Sequence, residues 1–320
     1  MKILANDGIS PEGIEVLEKA GYTVITEHVE QDQLIDTINK DGYTGLCVRS
    51  ATTVRKDLID NCPDLQFIGR GGVGMDNIDV EYAREQGKTV SNTPAASSQS
   101  VAELVIGSLF SISRSTFDSY KEMPENGHDQ FKKLKKKYAK GVELRGKTLL
   151  IVGFGRIGQS LASYALGIGM KVIGVNLEKG DVEIPIKIEG VGEIKSTVPV
   201  SDNMENEFGK ADFISLHIPK QSNGKAVIAK DQFNKMKDGV RIINAARGGV
   251  IDEMDLIDAL NSGKVAAAAI DVYDNEPTPR KEILTHPAIA CTPHIGAATV
   301  EAQARIGVEL AERIMETIKN

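Results

Sequence analysis

At 320 residues the chain exceeds what one hydrophobic core usually organises, and its 41% apolar and 26% charged content are those of a folded globular protein of two domains. A formal net charge of −7 argues against a general nucleic-acid or anionic-membrane surface, and no apolar run approaches a membrane span. The N-terminus turns polar too early for a signal peptide, and Cys47, Cys62 and Cys291 lack CxxC spacing, so free thiols in a reducing cytoplasm and no metal site are expected.

The first hundred residues alternate short β-rich runs with helical stretches. Residues 2–5 read as a strand; Ser10 and Pro11 then supply an N-cap and a first-turn proline for a helix that Gly21 stops. Residues 22–25, 46–48, 65–68 and 89–90 continue the strands, with helices of apolar period between them. This alternation predicts an α/β fold with a parallel sheet covered on both faces, in which ligands meet the carboxyl ends of the strands. Three such ends lead into polar or glycine-rich loops: Arg49-Ser50-Ala51-Thr52, residues 69–77, and Ser91-Asn92-Thr93-Pro94.

A long helix is predicted from Ser98 to about Tyr120, with Val101, Leu104, Val105, Leu109 and Ile112 on one face. The lysines at 132, 133, 135, 136, 137 and 140 read as a solvated helix or linker. A second α/β unit starts at Lys147, with strands at 148–152, 171–175, 213–216, 240–244 and 267–270. Residues 178–207 are polar and broken by proline and glycine, and receive no assignment. The last segment, 301–318, is an amphipathic helix on Ala302, Ile306, Leu310, Ile314 and Ile318, expected to pack back on the first unit. The expected domains are therefore 1–97 plus 294–320, and 98–293.

Gly153-Phe154-Gly155-Arg156-Ile157-Gly158 follows an apolar strand and opens a helix, the context that a dinucleotide-binding turn requires. Gly153 makes the tight turn, Gly155 lets backbone approach a pyrophosphate, and Gly158 allows close helix packing. Asn176 stands where an acidic residue usually binds the ribose, so NAD is favoured with weakened discrimination against NADP. Arg247, in a glycine-rich strand-end loop, offers a planar fork to a carboxylate. Glu276 can fix the tautomer of His294 and suit it to take a proton from an alcohol. His28, His128 and His286 read as surface histidines, and His217 as a neighbour of the cofactor without a chemical role.

These stretches, with Gly72-Val73-Gly74-Met75-Asp76-Asn77, Ser100-Val101-Ala102-Glu103-Leu104 and Glu143-Leu144-Arg145-Gly146-Lys147, resemble the D-isomer-specific 2-hydroxyacid dehydrogenases across essentially the whole chain. The resemblance implies two doubly wound parallel-sheet domains, one flavodoxin-like for substrate and one Rossmann domain for NAD, with a cleft between them. It implies catalysis by Arg247, Glu276 and His294. Cofactor contacts would come from Gly153, Gly155, Arg156, Ile157, Gly158, Asn176, His217, Pro219, Ala245, Asp271 and Gly296. Substrate contacts would come from Arg49, Ser50, Thr52, Val73, Gly74, Arg247 and His294. The Arg49 segment matches the one that meets a substrate phosphate in phosphoglycerate dehydrogenases, implying 3-phospho-D-glycerate; Ser97 and Gly224 depart from that group's pattern. A glyoxylate or hydroxypyruvate reductase and a non-catalytic NAD(H)-sensing scaffold stay open. A homodimer through the nucleotide domain is implied, and feedback through an appended regulatory domain is not expected.

Overall fold

The structure, a computed structural model, describes residues 1–317 and divides into two units: Met1–Ser100 with the segment from Ala297 onward, and Val101–Gly296. The divisions fall a few residues later than 97/98 and 293/294, the positions read from the sequence.

The first unit runs β1 (Lys2–Ala5), α1 (Pro11–Lys19), β2 (Thr23–Ile25), α2 (Leu34–Asp41), β3 (Gly45–Val48), α3 (Lys56–Asn61), β4 (Phe67–Arg70), α4 (Val80–Glu85) and β5 (Thr89–Asn92). Its five strands are parallel in the order β2-β1-β3-β4-β5. Successive side chains of a strand point to opposite faces, so the apolar runs feed two cores. Leu4, Leu46 and Ile68 enter one, while Ile3, Cys47 and Phe67 enter the other. Ser10 caps α1 by accepting from the Gly13 N–H at 3.3 Å.

The second unit contains most of α5 (Ser98–Arg114), then α6 (Thr116–Lys137), β6 (Thr148–Val152), α7 (Arg156–Gly167), β7 (Lys171–Val175), β8 (Gly180–Ile188), β9 (Gly192–Ser201), α8 (Glu205–Phe208) and β10 (Phe213–Leu216). It continues through α9 (Lys230–Lys235), β11 (Val240–Asn244), α10 (Glu253–Asn261), β12 (Val265–Ile270), α11 (Lys281–Thr285) and β13 (Ile289–Cys291). The eight strands lie in the order β13-β12-β11-β10-β6-β7-β9-β8, again with a core on each face. The chain then returns to the first unit as α12 (Val300–Thr317), whose Leu310, Ala311 and Ile314 complete the core around Phe67. Helices α1 and α12 touch backbone to backbone: a Cβ on Gly13 would lie 2.7 Å from the carbonyl carbon of Gly307. Ile318, read as part of this helix, lies outside the described residues.

Two elements differ from the sequence reading. The helix predicted to reach Tyr120 stops at Arg114, because Ser115 is left-handed at φ 50°. The Ser113 hydroxyl donates back to the Leu109 carbonyl, and the Ser113 carbonyl accepts from the Val142 N–H instead of from the next helical turn. Within residues 178–207, residues 180–201 form the β8–β9 hairpin, whose antiparallel pairing makes this sheet mixed, and Glu205 begins α8. Ile184 and Val198 of the hairpin are buried, while Ile188, Val191 and Ile194 near its tip are exposed.

Candidate active site

At the end of β6, Gly153 adopts φ 95°, and a side chain there would collide with the His217 carbonyl. A Cβ on Gly158 would collide with the Gly153 carbonyl, so the first turn of α7 sits directly on the strand end. A Cβ on Gly155, by contrast, would meet nothing within 4 Å. No side chain caps α7, so its N-terminal N–H groups face the space above Gly155. An open glycine step below a helix N-terminus is the cradle a pyrophosphate fits. Arg156 and Ile157 form the first residues of that helix, and Asn176, exposed at the end of β7, donates its backbone N–H to the Ser201 carbonyl at 3.0 Å. His217 holds Nε2 2.8 Å from the Ser215 hydroxyl, and burial pushes its pKa down from 6.5 to about 4, so it is neutral at physiological pH. Pro219 is exposed two residues on.

Two strand-end loops of the same unit carry the polar groups. Beyond β11, the Asn244 side chain accepts from the Ala246 N–H at 3.1 Å and donates to the Arg247 carbonyl at 3.0 Å, closing the turn Asn244-Ala245-Ala246-Arg247. The Arg247 guanidinium donates to the Ala246 carbonyl at 2.6 Å. A side chain on Gly248 would collide with the Tyr273 carbonyl, so this turn and the loop after β12 lie back to back.

In that second loop one Glu276 oxygen accepts from the Tyr273 N–H at 2.9 Å, while the other lies 2.8 Å from His294 Nδ1. The carboxylate therefore fixes Nδ1 and leaves Nε2 as the ring nitrogen outside this contact. His294 sits at φ 55°, an uncommon conformation for a non-glycine residue that needs support from its surroundings. Asp271 supplies it. One oxygen of this buried carboxylate accepts from the Thr292 hydroxyl at 2.6 Å and the Ile295 N–H at 2.9 Å, and the other from the Gly296 N–H at 2.9 Å. The Tyr273 hydroxyl adds donation to the carbonyls of Ile270 and Thr292. Asp271 and Gly296, read from the resemblance as cofactor contacts, thus bond to each other here.

In the first unit, the Asp7 carboxylate accepts from the N–H groups of Arg49 and Thr52 at 2.6 and 3.1 Å and from the Thr52 hydroxyl at 2.6 Å. The Asn77 amide donates to the carbonyls of Arg49 and Thr52. Thr52 is buried in this network and serves the loop itself. Arg49 lines a cavity of about 630 Å³ with Asp7, Ser10, Gly71, Thr299 and Gln303. The Val73 carbonyl accepts from the Asn92 amide at 2.6 Å, and the Gly72 N–H donates to Thr93 at 2.7 Å, which fixes the Val73-Gly74 backbone. The sequence reading missed Arg70. It ends β4 beside Arg49, opposite Val48 in register, and donates to the Ser50 hydroxyl at 3.4 Å. Its place at a strand end inside a loop already singled out was the available signal.

Among the described residues, no group of three or more His, Cys, Asp or Glu is placed to hold a metal ion, and no helix is long and apolar enough to cross a membrane.

Residues 106–296 match the family model for the D-isomer specific 2-hydroxyacid dehydrogenase, NAD binding domain. Hydroxypyruvate reductase of Thermotoga maritima is 40% identical over 321 residues, covering 99% of this chain and 98% of that protein. D-3-phosphoglycerate dehydrogenase of Methanocaldococcus jannaschii is 39% identical over 320 residues, but this chain spans only 58% of its length. Among solved structures, a glyoxylate reductase from Paecilomyes thermophila superposes with a TM-score of 0.81 at 27% identity, over 100% of this chain and 95% of that one.

Proposed function

The chain belongs to the D-isomer specific 2-hydroxyacid dehydrogenases, and from that premise we propose that it oxidises 3-phospho-D-glycerate to 3-phosphohydroxypyruvate, the entry into serine synthesis. The observation that carries the phosphorylated substrate is the pair Arg49 and Arg70, two guanidinium groups at the ends of adjacent strands. Guanidinium pairs suit a phosphate better than the hydroxymethyl group of an unphosphorylated acid. The Gly155 cradle and the α7 N-terminus hold the cofactor's pyrophosphate. NAD supplies the acceptor for the hydrogen and electron pair leaving C2.

The chain's own residues do the rest. Arg247 grips and orients the substrate carboxylate with two parallel hydrogen bonds. His294 Nε2 takes the hydroxyl proton as the C2 carbonyl forms, and Glu276 holds the ring by Nδ1 so that the receiving nitrogen faces the substrate. In the reverse direction the same nitrogen returns the proton. The backbone around Val73 and Gly74 adds N–H donors to the carboxylate. His217, Pro219, Ala245, Asp271 and Gly296 border the cofactor.

A second reading, reduction of hydroxypyruvate or glyoxylate, is favoured by the similarity to the Thermotoga reductase, a protein of nearly the same length. NADH oxidation with 3-phosphohydroxypyruvate, beside hydroxypyruvate and glyoxylate, separates the two. A preference of about a hundredfold in kcat/KM for the phosphorylated acid, on the order of 2.7 kcal/mol, supports the first reading, and equal rates support the second. We also propose a cytoplasmic homodimer formed through the second unit, where Phe110, Tyr120, Met123 and Phe131 of α5 and α6 are exposed. Sedimentation at micromolar concentration tests it.

A further inference from the structure

We propose that Glu253 is a positioning residue for the acid–base pair, holding both shoulders of the segment that presents Glu276 to His294; this rests on the role given to that pair above. Glu253 opens α10 and is 7% exposed. One of its oxygens accepts from the Asp274 N–H at 2.9 Å, and the other is ion-paired with Arg280 Nε at 3.2 Å. Asp274 and Arg280 bracket Glu276, so a single carboxylate closes the neck of this loop. Asp274 also follows Tyr273, whose N–H fixes one Glu276 oxygen. The line from Glu253 to the imidazole therefore runs through two adjacent peptide units and one carboxylate.

The same residue reaches beneath the Arg247 turn. Asn244, which closes that turn, lines with Gly249 and Glu253 one small cavity of about 10 Å³. A carboxylate withdrawn from water is unfavourable unless it is paired and hydrogen-bonded. Burial pushes the Glu253 carboxyl up, the Asp274 N–H opposes this, the charges of Asp274 and Asp252 add to it, and Arg280 opposes it. An apolar side chain at this position would fill the space without that conflict, but could not tie the neck of the loop.

The test is a double-mutant cycle of E253A with E276Q, joined by E253Q, reading kcat, both KM values and melting temperature on the best substrate. E253A should lower kcat by about tenfold to a hundredfold, the effect of misplacing a reacting group by about 1 Å, and leave KM for NADH within about twofold. E253Q keeps an oxygen for the Asp274 N–H and should restore most of kcat. In the E276Q background E253A should cost little more, because both changes break one line of support. Full additivity in the cycle, an unaltered kcat in E253A, or no rescue by E253Q would overturn the proposal. An unaltered kcat in E276Q would instead remove the acid–base reading on which it stands. Should E253A not fold, E253M, which fills the space but cannot accept from the Asp274 N–H, takes its place in the cycle, with the same non-additivity expected.

Discussion

The two units solve the same problem, fixing polar groups at the carboxyl ends of parallel strands, with different devices. In the first, a carboxylate and an amide, Asp7 and Asn77, spend their hydrogen bonds on the loop backbone around Arg49 and Thr52. The side chain presented is a long, permanently charged guanidinium. In the second, buried Asp271 and Glu253 fasten two loops that meet in a short contact between a carboxylate and an imidazole. Recognising charge tolerates a flexible cation, whereas moving a proton requires a ring held in one orientation. On the roles proposed for Arg49 and His294, the two devices follow from that difference in tolerance.

The sharpest way to break the comparison is His294→Ala, which should lower kcat by roughly 10²–10⁴ while NADH affinity, measured by fluorescence titration, changes little. Gly248→Ala comes next. Its methyl group cannot coexist with the Tyr273 carbonyl, so the Arg247 and Glu276 loops must separate, and steady-state kinetics should show a kcat loss of about a hundredfold. Arg49→Ala addresses the other unit. It should reduce kcat/KM for the phosphorylated acid by about tenfold to a hundredfold, the size of one charge-assisted contact, and leave hydroxypyruvate turnover unaltered. A matching loss on both acids would make Arg49 structural.

The smallest effect concerns pH. His217 has a lower pKa folded than unfolded, so the unfolded chain binds more protons between about pH 6.5 and 4. Its contribution to stability is present above that window and is lost as the pH falls through it. Thermal melts should show a shallower acid-side decline in His217→Asn than in the parent; parallel slopes would argue that this imidazole titrates normally.

Much of this was legible in the residue order. Strand, glycine turn and helix at 148–167 follow from local rules, and Glu276 and His294 sat in recognisable loops. The hairpin at 180–201 was missed although Val182, Ile184, Ile186 and Ile188 recur at every second position. Pro185 and Pro199 and the charged outer face obscured the period; Pro185 is tolerated because β8 is the edge strand, and Pro199 lies just outside the short stretch, Val200 and Ser201, where β9 pairs with β7. The break at Ser115 depends on a hydrogen bond from Val142, too distant in sequence for helical periodicity to reveal. Arg70 and Glu253 acquire meaning only from neighbours such as Ser50 and Asp274, which the fold supplies.

The backbone contact between Gly13 and Gly307 also sets an order of events during translation. The core around Ile3, Leu17 and Phe67 is closed by Leu310 and Ile314, which are synthesised only after the whole of the second unit. By then the continuous segment Val101–Gly296 has emerged in full and can collapse as its own unit. The nascent first hundred residues must wait with one face of their sheet unclosed. A slow stretch of codons or a chaperone would act most strongly in that interval.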